Sequence, residues 1–190
     1  MNRAVFLDRD GVINRKAPDG QYVTRWEEME FLPGIAKAIA RLNEAGFKVI
    51  VISNQRCVAK GLVTDADVNA IHRRMCSELA GAGATVDAVY YCPHEKQPPC
   101  NCRKPAPGML LSAAREHHID LSESWMIGDS DIDVAAGRNA GCKTVRLVAR
   151  DESIASMADF ASESLLDAIH KILRSEIMAE HSAPRNAARN

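Results

Sequence analysis

The stretch that decides the fold is AVFLDRDGVI, residues 4–13. Its apolar run leads directly into Asp8, Arg9 and Asp10, and a glycine follows. An apolar run of this kind predicts a buried strand, and side chains two residues apart in a strand point to the same side. Two carboxylates held together oppose each other's ionisation unless a cation or a proton offsets their charge. The stretch therefore predicts a strand that ends in two carboxylates, with a cation or a proton between them.

The bulk composition is that of a globular protein. The chain has 190 residues, enough for one domain with a sizeable core, and its formal net charge of -1 comes without a basic block. That balance argues against a nucleic-acid binder or a binder of anionic membranes. The chain has no apolar run of membrane-spanning length and no signal-peptide core at its start. We therefore expect a cytoplasmic protein with a single domain over residues 1–175 and a flexible tail over 176–190.

Apolar runs rich in β-branched residues alternate with helical patterns along the chain. The runs predict five strands, at residues 4–8, 47–53, 86–91, 124–129 and 143–148. The helical patterns lie at residues 33–46, 65–81 (capped by Thr64), 107–118, from about Ile132, and at 162–175. This β-α-β-α order predicts an α/β domain of three layers, in which helices cover both faces of a central, mainly parallel sheet.

Polar residues follow the predicted strands, at the edge where such sheets bind ligands. Asp8, Asp10 and Asp129 are expected to converge there, and several carboxylates together suggest a hard cation such as Mg²⁺. The Ser53 hydroxyl and the backbone N–H groups after it would hold phosphate oxygens, and Lys104 adds a positive charge. Each piece alone is as compatible with a turn, a helix cap or a solvated lysine. As an ordered set they favour a phosphate site with Mg²⁺.

The segment YYCPHEKQPPCNCRKP contains a cluster of metal-ligand residue types: Cys92, His94, Cys100 and Cys102. Four nitrogen and sulfur ligands at this spacing fit a closed, tetrahedral, structural zinc site, because a catalytic zinc keeps one position open. A chance cluster of free thiols is the alternative, and the compact spacing disfavours it. We call residues 92–102 the zinc loop.

Four segments resemble, in order, the signatures of the haloacid dehalogenase (HAD) superfamily of phosphatases: FLDRDGVI, VISNQ, CRKPAPGML and MIGDSDIDVAAGRNAG. The match runs from Val5 to about Val148. The resemblance implies a Rossmann-like α/β domain that hydrolyses a phosphomonoester with Mg²⁺, through an aspartyl-phosphate. Many members carry an inserted cap domain, but no insert in this chain is long enough to form a separate one.

The resemblance also implies catalytic and metal-binding roles. Asp8 would be the nucleophile, and Asp10 would protonate the leaving alcohol and later activate water. Mg²⁺ would be held by Asp8, the backbone carbonyl of Asp10 and Asp129, with Asp133 in support. Keeping the Asp10 side chain off the metal is chemically sensible, because a metal-bound carboxylate is a poor acid.

The resemblance places substrate-binding residues next to these groups. Ser53, Asn54 and Lys104 would bind the transferring phosphate. Arg103 is the best candidate for gripping a second anionic group, because a guanidinium holds phosphate in bidentate fashion. The alternative is that Arg103 only packs against the zinc loop.

The zinc loop is similar to that of two groups within the superfamily. One is the D-glycero-D-manno-heptose 1,7-bisphosphate 7-phosphatases, which act in lipopolysaccharide precursor biosynthesis, and the other is the histidinol-phosphate phosphatases. The segments GQYVTRWEEMEFLPG and NQRCVAKGLVT resemble the heptose enzymes more closely, although Arg56, Cys57, Lys60 and Ser130 depart from the usual pattern. We expect a monomer that acts on a small phosphorylated metabolite, a sugar phosphate, and binds neither nucleic acid nor membrane. A histidinol-phosphate or other small-metabolite phosphatase, and a non-catalytic zinc-stabilised binding module, are the alternatives.

Overall fold

The structure, a computed structural model, describes residues 1–149 and 157–182. Its centre is one parallel sheet of six strands in the order β3-β2-β1-β4-β5-β6. The strands are β1 (Ala4–Leu7), β2 (Lys48–Asn54), β3 (Ala88–Cys92), β4 (Trp125–Gly128), β5 (Lys143–Leu147) and β6 (Phe160–Ser162). The predicted α/β fold with a central parallel sheet is confirmed.

In the described part of the chain, five α-helices cover the two faces of this sheet, and a short 3-10 helix lies at Trp26–Glu28. The α-helices are α1 (Ile35–Glu44), α2 (Asp65–Gly81), α3 (Gly108–His117), α4 (Asp131–Ala140) and α5 (Leu165–Ser182). Buried residues of α1, α2 and α5 form one apolar cluster, and those of α3 and α4 belong to a second. Among the described residues no segment forms a separate cap, and none of the helices is long and apolar enough to cross a membrane.

The central strand β1 shows how the sequence creates the two faces. Val5 and Leu7 pack into the cluster with α1, whereas Phe6 packs into the cluster with α3, and all three are fully buried. Burial on both faces explains why the strand is a continuous apolar run. Leu7 pairs with Ile127 of β4, so the residues after both strands come out side by side. This register places Asp8 next to the end of β4.

The structure differs from the sequence-based expectation in two places. The strand β6 was not predicted, because three residues are too short to show an alternating pattern. Helix α5 continues to Ser182, so the tail boundary predicted at residue 176 needs correction, and Glu176 contacts Arg3 at 2.5 Å. Residues 183–190 lie outside the described residues. That residues 1–175 form a single domain remains a prediction, which the continuous sheet favours.

Candidate active site

A cleft of about 230 Å³ opens at the carboxyl ends of β1, β2 and β4. Six residues predicted to be functional line it: Asp8, Asp10, Ser53, Asn54, Lys104 and Asp129. The segment of residues 16–23 lines it as well. The cleft has the position that parallel α/β sheets use for ligands, and its lining is rich in charge.

A buried lysine joins two carboxylates at the base of the cleft. Lys104 Nζ lies 2.7 Å from Asp8 Oδ1 and 2.6 Å from Asp133 Oδ1, and it donates to the Ile52 carbonyl at 2.8 Å. Burial raises the pKa of Asp8 to about 7 even though the Lys104 charge opposes the shift, and the Asp133 charge adds to the rise. One ammonium group is therefore too little positive charge for this cluster, and the donor set fits a further cation.

Three carboxylates are placed to receive that cation. Oxygens of Asp8, Asp129 and Asp133 lie within 4.8 Å of one another. Gly11 makes room for them: its φ is +94°, and a Cβ there would lie 2.3 Å from Asp129 Oδ2. The Asp129 carboxylate also contacts Lys16 Nζ at 3.0 Å. Oxygen ligands of this kind suit Mg²⁺.

Asp133 is the most constrained of the three carboxylates. It is fully buried, its Oδ1 contacts Lys104, and its Oδ2 accepts from the backbone N–H and the hydroxyl of Ser130 at the start of α4. The capping box of α4 thus fixes it in place. This arrangement suits the supporting role predicted for Asp133 rather than that of a principal ligand.

The Asp10 side chain is held apart from the acidic cluster. Arg9 Nη2 donates to both of its oxygens at 2.9 Å, Asn14 Nδ2 donates to Oδ1 at 2.9 Å, and Gln55 Nε2 donates to Oδ2 at 3.0 Å. Burial raises the pKa of Asp10, but the Arg9 charge and these hydrogen bonds outweigh it and leave the pKa below its usual value. These donors already balance the charge of the Asp10 carboxylate without a metal ion. The arrangement is compatible with the prediction that only the Asp10 backbone would face Mg²⁺.

The two polar residues at the end of β2 have different environments. Ser53 Oγ accepts a hydrogen bond from Gln55 Nε2 at 2.7 Å, so its own proton remains available for a phosphate oxygen. The Asn54 amide holds the backbone of Lys104, with Oδ1 accepting from the Lys104 N–H at 3.1 Å and Nδ2 donating to its carbonyl at 3.2 Å. Asn54 therefore positions Lys104, whereas a direct contact with phosphate remains a prediction.

The exposed basic side chain that lines the cleft beside the acidic cluster is Lys16 and not Arg103, which was predicted to bind a second anionic group. Arg103 does not line the cleft, and its Nη1 donates to the His94 carbonyl of the zinc loop at 3.3 Å. This matches the alternative in which Arg103 packs against the zinc loop, and its role toward a second anion remains a prediction. Lys16, which lines the cleft and has a side chain 56% exposed, is better placed to meet substrate.

The four predicted zinc ligands lie together. Their ligand atoms all lie within 4.8 Å of one another, and five of the six pairs are 3.2 to 3.6 Å apart: Cys92 Sγ, His94 Nδ1, Cys100 Sγ and Cys102 Sγ. Sulfurs around a tetrahedral zinc are roughly 3.8 Å apart, given a Zn–S distance of about 2.3 Å. Burial raises the pKa of Cys100, but hydrogen bonds from Cys102 and the Arg103 backbone outweigh it and lower that pKa to about 6. The cluster fits one closed zinc site.

Comparisons with known proteins identify the family. Residues 101–168 match the HAD-hydrolase-like family. The chain is 43% identical over 155 residues to the D-glycero-β-D-manno-heptose-1,7-bisphosphate 7-phosphatase of Rhodopseudomonas palustris, covering 78% of this chain and 84% of that protein. The protein of the same name from Escherichia coli K12 is 38% identical, with 87% of this chain and 89% of that protein covered. The chain belongs to the heptose-1,7-bisphosphate 7-phosphatase family.

A solved structure of a family member has the same fold. The D,D-heptose 1,7-bisphosphate phosphatase of Bordetella bronchiseptica, crystallised with magnesium and phosphate, superposes with a TM-score of 0.80 at 35% identity. The match covers 91% of this chain and 99% of that one. The resemblance to HAD phosphatases and the Rossmann-like fold predicted from the sequence are therefore confirmed.

In the present chain, sequence reasoning missed four side chains that hold Asp10 or support its partners, one of which is Asn14. Arg9 and Gln55 lie inside quoted motifs and hold Asp10, and His72 contacts Arg9 from α2. The only signal for His72 was a polar residue on the apolar stripe of α2, next to Ile71 and one turn from Met75. Such a residue is more often a satisfied core histidine than a functional one.

The Cys100→Ser substitution is expected to remove zinc and weaken the fold. Metal analysis should find about one zinc per chain in the wild type and almost none in the variant. Losing the metal that closes the zinc loop should cost about 2–3 kcal/mol, which lowers the melting temperature by roughly 5–10 °C. Cys76→Ser, outside the cluster, is the matched control and should retain zinc. A reduced wild-type protein that contains no zinc and is equally stable with a chelator would contradict the site.

Proposed function

We propose that this chain is a Mg²⁺-dependent phosphatase that removes the 7-phosphate of D-glycero-D-manno-heptose 1,7-bisphosphate through an aspartyl-phosphate. The observation that carries the proposal is the cleft, where Asp8 beside Lys104 and a separately held Asp10 meet at the end of β1. Relatives that carry the name of this activity match at 43% and 38% identity.

Asp8 is the nucleophile in this proposal. Its Oδ1 accepts from the Arg9 backbone N–H at 2.7 Å and contacts Lys104, which together fix the plane of the carboxylate. A carboxylate attacks a phosphate dianion only when the repulsion between them is offset, and Lys104 supplies part of the positive charge. Asp8, Asp129 and the Asp10 carbonyl would hold Mg²⁺, which would supply the rest of the positive charge. Ser53 donates to an oxygen of the transferring phosphoryl group.

Asp10 handles the protons. It gives a proton to the oxygen of the leaving alcohol, and it later takes one from the water that hydrolyses the aspartyl-phosphate. In the substrate-free site its pKa is below the usual value because of Arg9 and the other donors. A bound phosphate dianion raises that pKa by like-charge repulsion, so Asp10 becomes an acid when substrate arrives.

The cleft suits a small phosphorylated sugar. Its volume is about 230 Å³, and the segment of residues 16–23 forms part of its lining. Lys60 Nζ lies 5.2 Å from the centre of the Tyr22 ring in this segment, which links the segment to the loop after β2. Lys16 Nζ contacts Asp129 Oδ2 at 3.0 Å, and if that carboxylate held a metal, Lys16 would be the first candidate to meet the phosphate that is not transferred. Arg103 is the second candidate for that contact.

We further propose that the enzyme acts as a monomer in the cytoplasm. None of the six cysteines, all of which lie in the described residues, forms a disulfide, which suits a reducing compartment. The large apolar side chains exposed among the described residues are few and come from different segments of the chain: Met1, Leu62, Leu111, Ile132, Met157 and Met178. No extended apolar run among them suggests a second subunit.

Phosphate release from a substrate panel tests the proposed function. With Mg²⁺, we expect kcat/KM for the heptose bisphosphate to exceed that for histidinol phosphate and fructose 1,6-bisphosphate by about tenfold or more, because several polar contacts discriminate between them. Phosphorus NMR of the product should show loss of the 7-phosphate and retention of the 1-phosphate. Faster turnover of histidinol phosphate would favour the alternative enzyme. Failure to release phosphate from any substrate would favour a binding module.

A further inference from the structure

Arg9 is a buried cation with partners on two sides. Its side chain is 1% exposed, and its Nη2 and Nε donate to Asp10. On the other side, Nη1 lies 3.1 Å from Nε2 of His72, a residue of α2 that is itself 4% exposed. We infer that His72 is a positioning residue for phosphoryl transfer: by accepting from Arg9, it fixes the guanidinium that orients Asp10. This role rests on the proposed function.

The hydrogen-bond direction between the two side chains is determined by their chemistry. A guanidinium can only donate, so His72 Nε2 is the acceptor and the ring proton is on Nδ1. Burial lowers the pKa of His72 to about 3, and the Arg9 charge adds to that shift. The ring therefore remains a neutral acceptor over the whole range in which such an enzyme is assayed.

His72 is a poor choice for stability alone. It lies on the buried face of α2, beside Val68, Ile71 and Met75, where an apolar side chain would pack without polar atoms. Its Nδ1 is buried and has no hydrogen-bond partner among the described residues. A buried, unpaired N–H is destabilising. The contact that accounts for a histidine here is the one to Arg9, while the ring packs edge-on against Tyr91 at 5.4 Å.

The planar geometry of Arg9 transmits the constraint. Because the guanidinium is rigid, fixing Nη1 on His72 also fixes the direction in which Nε and Nη2 meet Asp10. Without an acceptor at residue 72, Nη1 is left unpaired in an apolar environment, and the guanidinium turns toward water. Asn14 and Gln55 still donate hydrogen bonds to Asp10, so we expect its carboxylate to shift within the site and not to leave it. A displacement at this group is costly because proton transfer depends on its position.

Three substitutions of His72 distinguish a hydrogen-bond acceptor for Arg9 from a residue that only packs in the core. His72→Gln places an amide oxygen near the position of Nε2, His72→Asn places it a bond too short, and His72→Leu removes it. Each is assayed with Mg²⁺ for kcat/KM on the heptose bisphosphate, which is the alkyl phosphate of the comparison, and on p-nitrophenyl phosphate, which is the aryl phosphate. This parameter covers the steps up to leaving-group release, where an alkoxide needs the proton from Asp10 and p-nitrophenolate does not.

We expect His72→Leu and His72→Asn to lower kcat/KM for the alkyl phosphate about 10- to 100-fold, with a much smaller loss on the aryl phosphate. His72→Gln should stay within about threefold of the wild type, since its acceptor is retained. Urea unfolding should show no matching loss of stability in His72→Leu. If that variant does not fold, the comparison of His72→Gln with His72→Asn decides.

Equal losses on the two substrates, no loss in any variant, or a His72→Gln protein no better than His72→Asn would overturn the positioning role while leaving the phosphatase intact. A wild type that releases phosphate from neither substrate would overturn the proposed function, and the role of His72 with it. The two failures are distinguished by the wild-type rate alone.

Discussion

The Asp8→Asn variant is expected to lose about 10⁴-fold or more of its phosphate release while remaining folded, because a neutral amide oxygen does not replace the attacking carboxylate. The amide has the same size, and its oxygen still accepts from the Arg9 backbone and from Lys104. Mg²⁺-dependent phosphate release on the heptose bisphosphate, with circular dichroism for the fold, measures the effect.

A loss of stability should not explain the loss of phosphate release in Asp8→Asn. The pKa of Asp8 in the folded protein is about 7, above the ordinary value of 3.8, so the ionised group disfavours the metal-free fold at neutral pH. A neutral amide is therefore expected to leave stability unchanged or raised. Asp120→Asn is the control, since Asp120 lies by Asn2 at the amino end of β1, away from the cleft. A folded Asp8→Asn protein with a rate well above background would refute the nucleophile assignment.

The sequence predicted residues that the structure brings to one cleft, because the positions of these residues are fixed locally. Asp8 and Asp129 each follow an apolar strand, and pairing of those strands leaves the two carboxylates little freedom of position. The predicted zinc ligands lie within a short loop, so their spacing in the sequence was nearly sufficient to predict that they cluster. In each case the geometry is determined by the backbone within a few residues of the side chain.

Side-chain partners distant in sequence were beyond this reasoning. Arg9 and His72 are 63 residues apart, and their contact depends on how α2 rotates its buried face over the sheet. The orientation of the Arg103 side chain likewise depends on the zinc loop that it packs against. The hydrogen bond from Asn54 to the Lys104 backbone depends on the path of the chain before α3. These arrangements arise from packing between elements, which the hydrophobic pattern does not encode.

The Lys104→Met variant is expected to lose both activity and stability. It removes the ammonium group between Asp8 and Asp133 and leaves two buried carboxylates without this cationic partner. Breaking a buried ion pair from one side typically costs about 3–5 kcal/mol. Loss of a positive charge aimed at the reacting phosphate should lower kcat by about 10²- to 10³-fold. Denaturant unfolding with and without Mg²⁺, together with phosphate release, measures the two effects.

A second substitution separates the loss of activity from the loss of stability. Adding Asp133→Asn to Lys104→Met removes one of the stranded charges, so stability should recover while activity stays low. Lys16→Met is the stability control, because its half-exposed pair with Asp129 should contribute less than about 1 kcal/mol. Mg²⁺ should stabilise Lys104→Met more than the wild type, since a cation then offsets the stranded carboxylates. If the double variant regained full activity, Lys104 would serve only to neutralise the acidic cluster, and the phosphate would be bound without it.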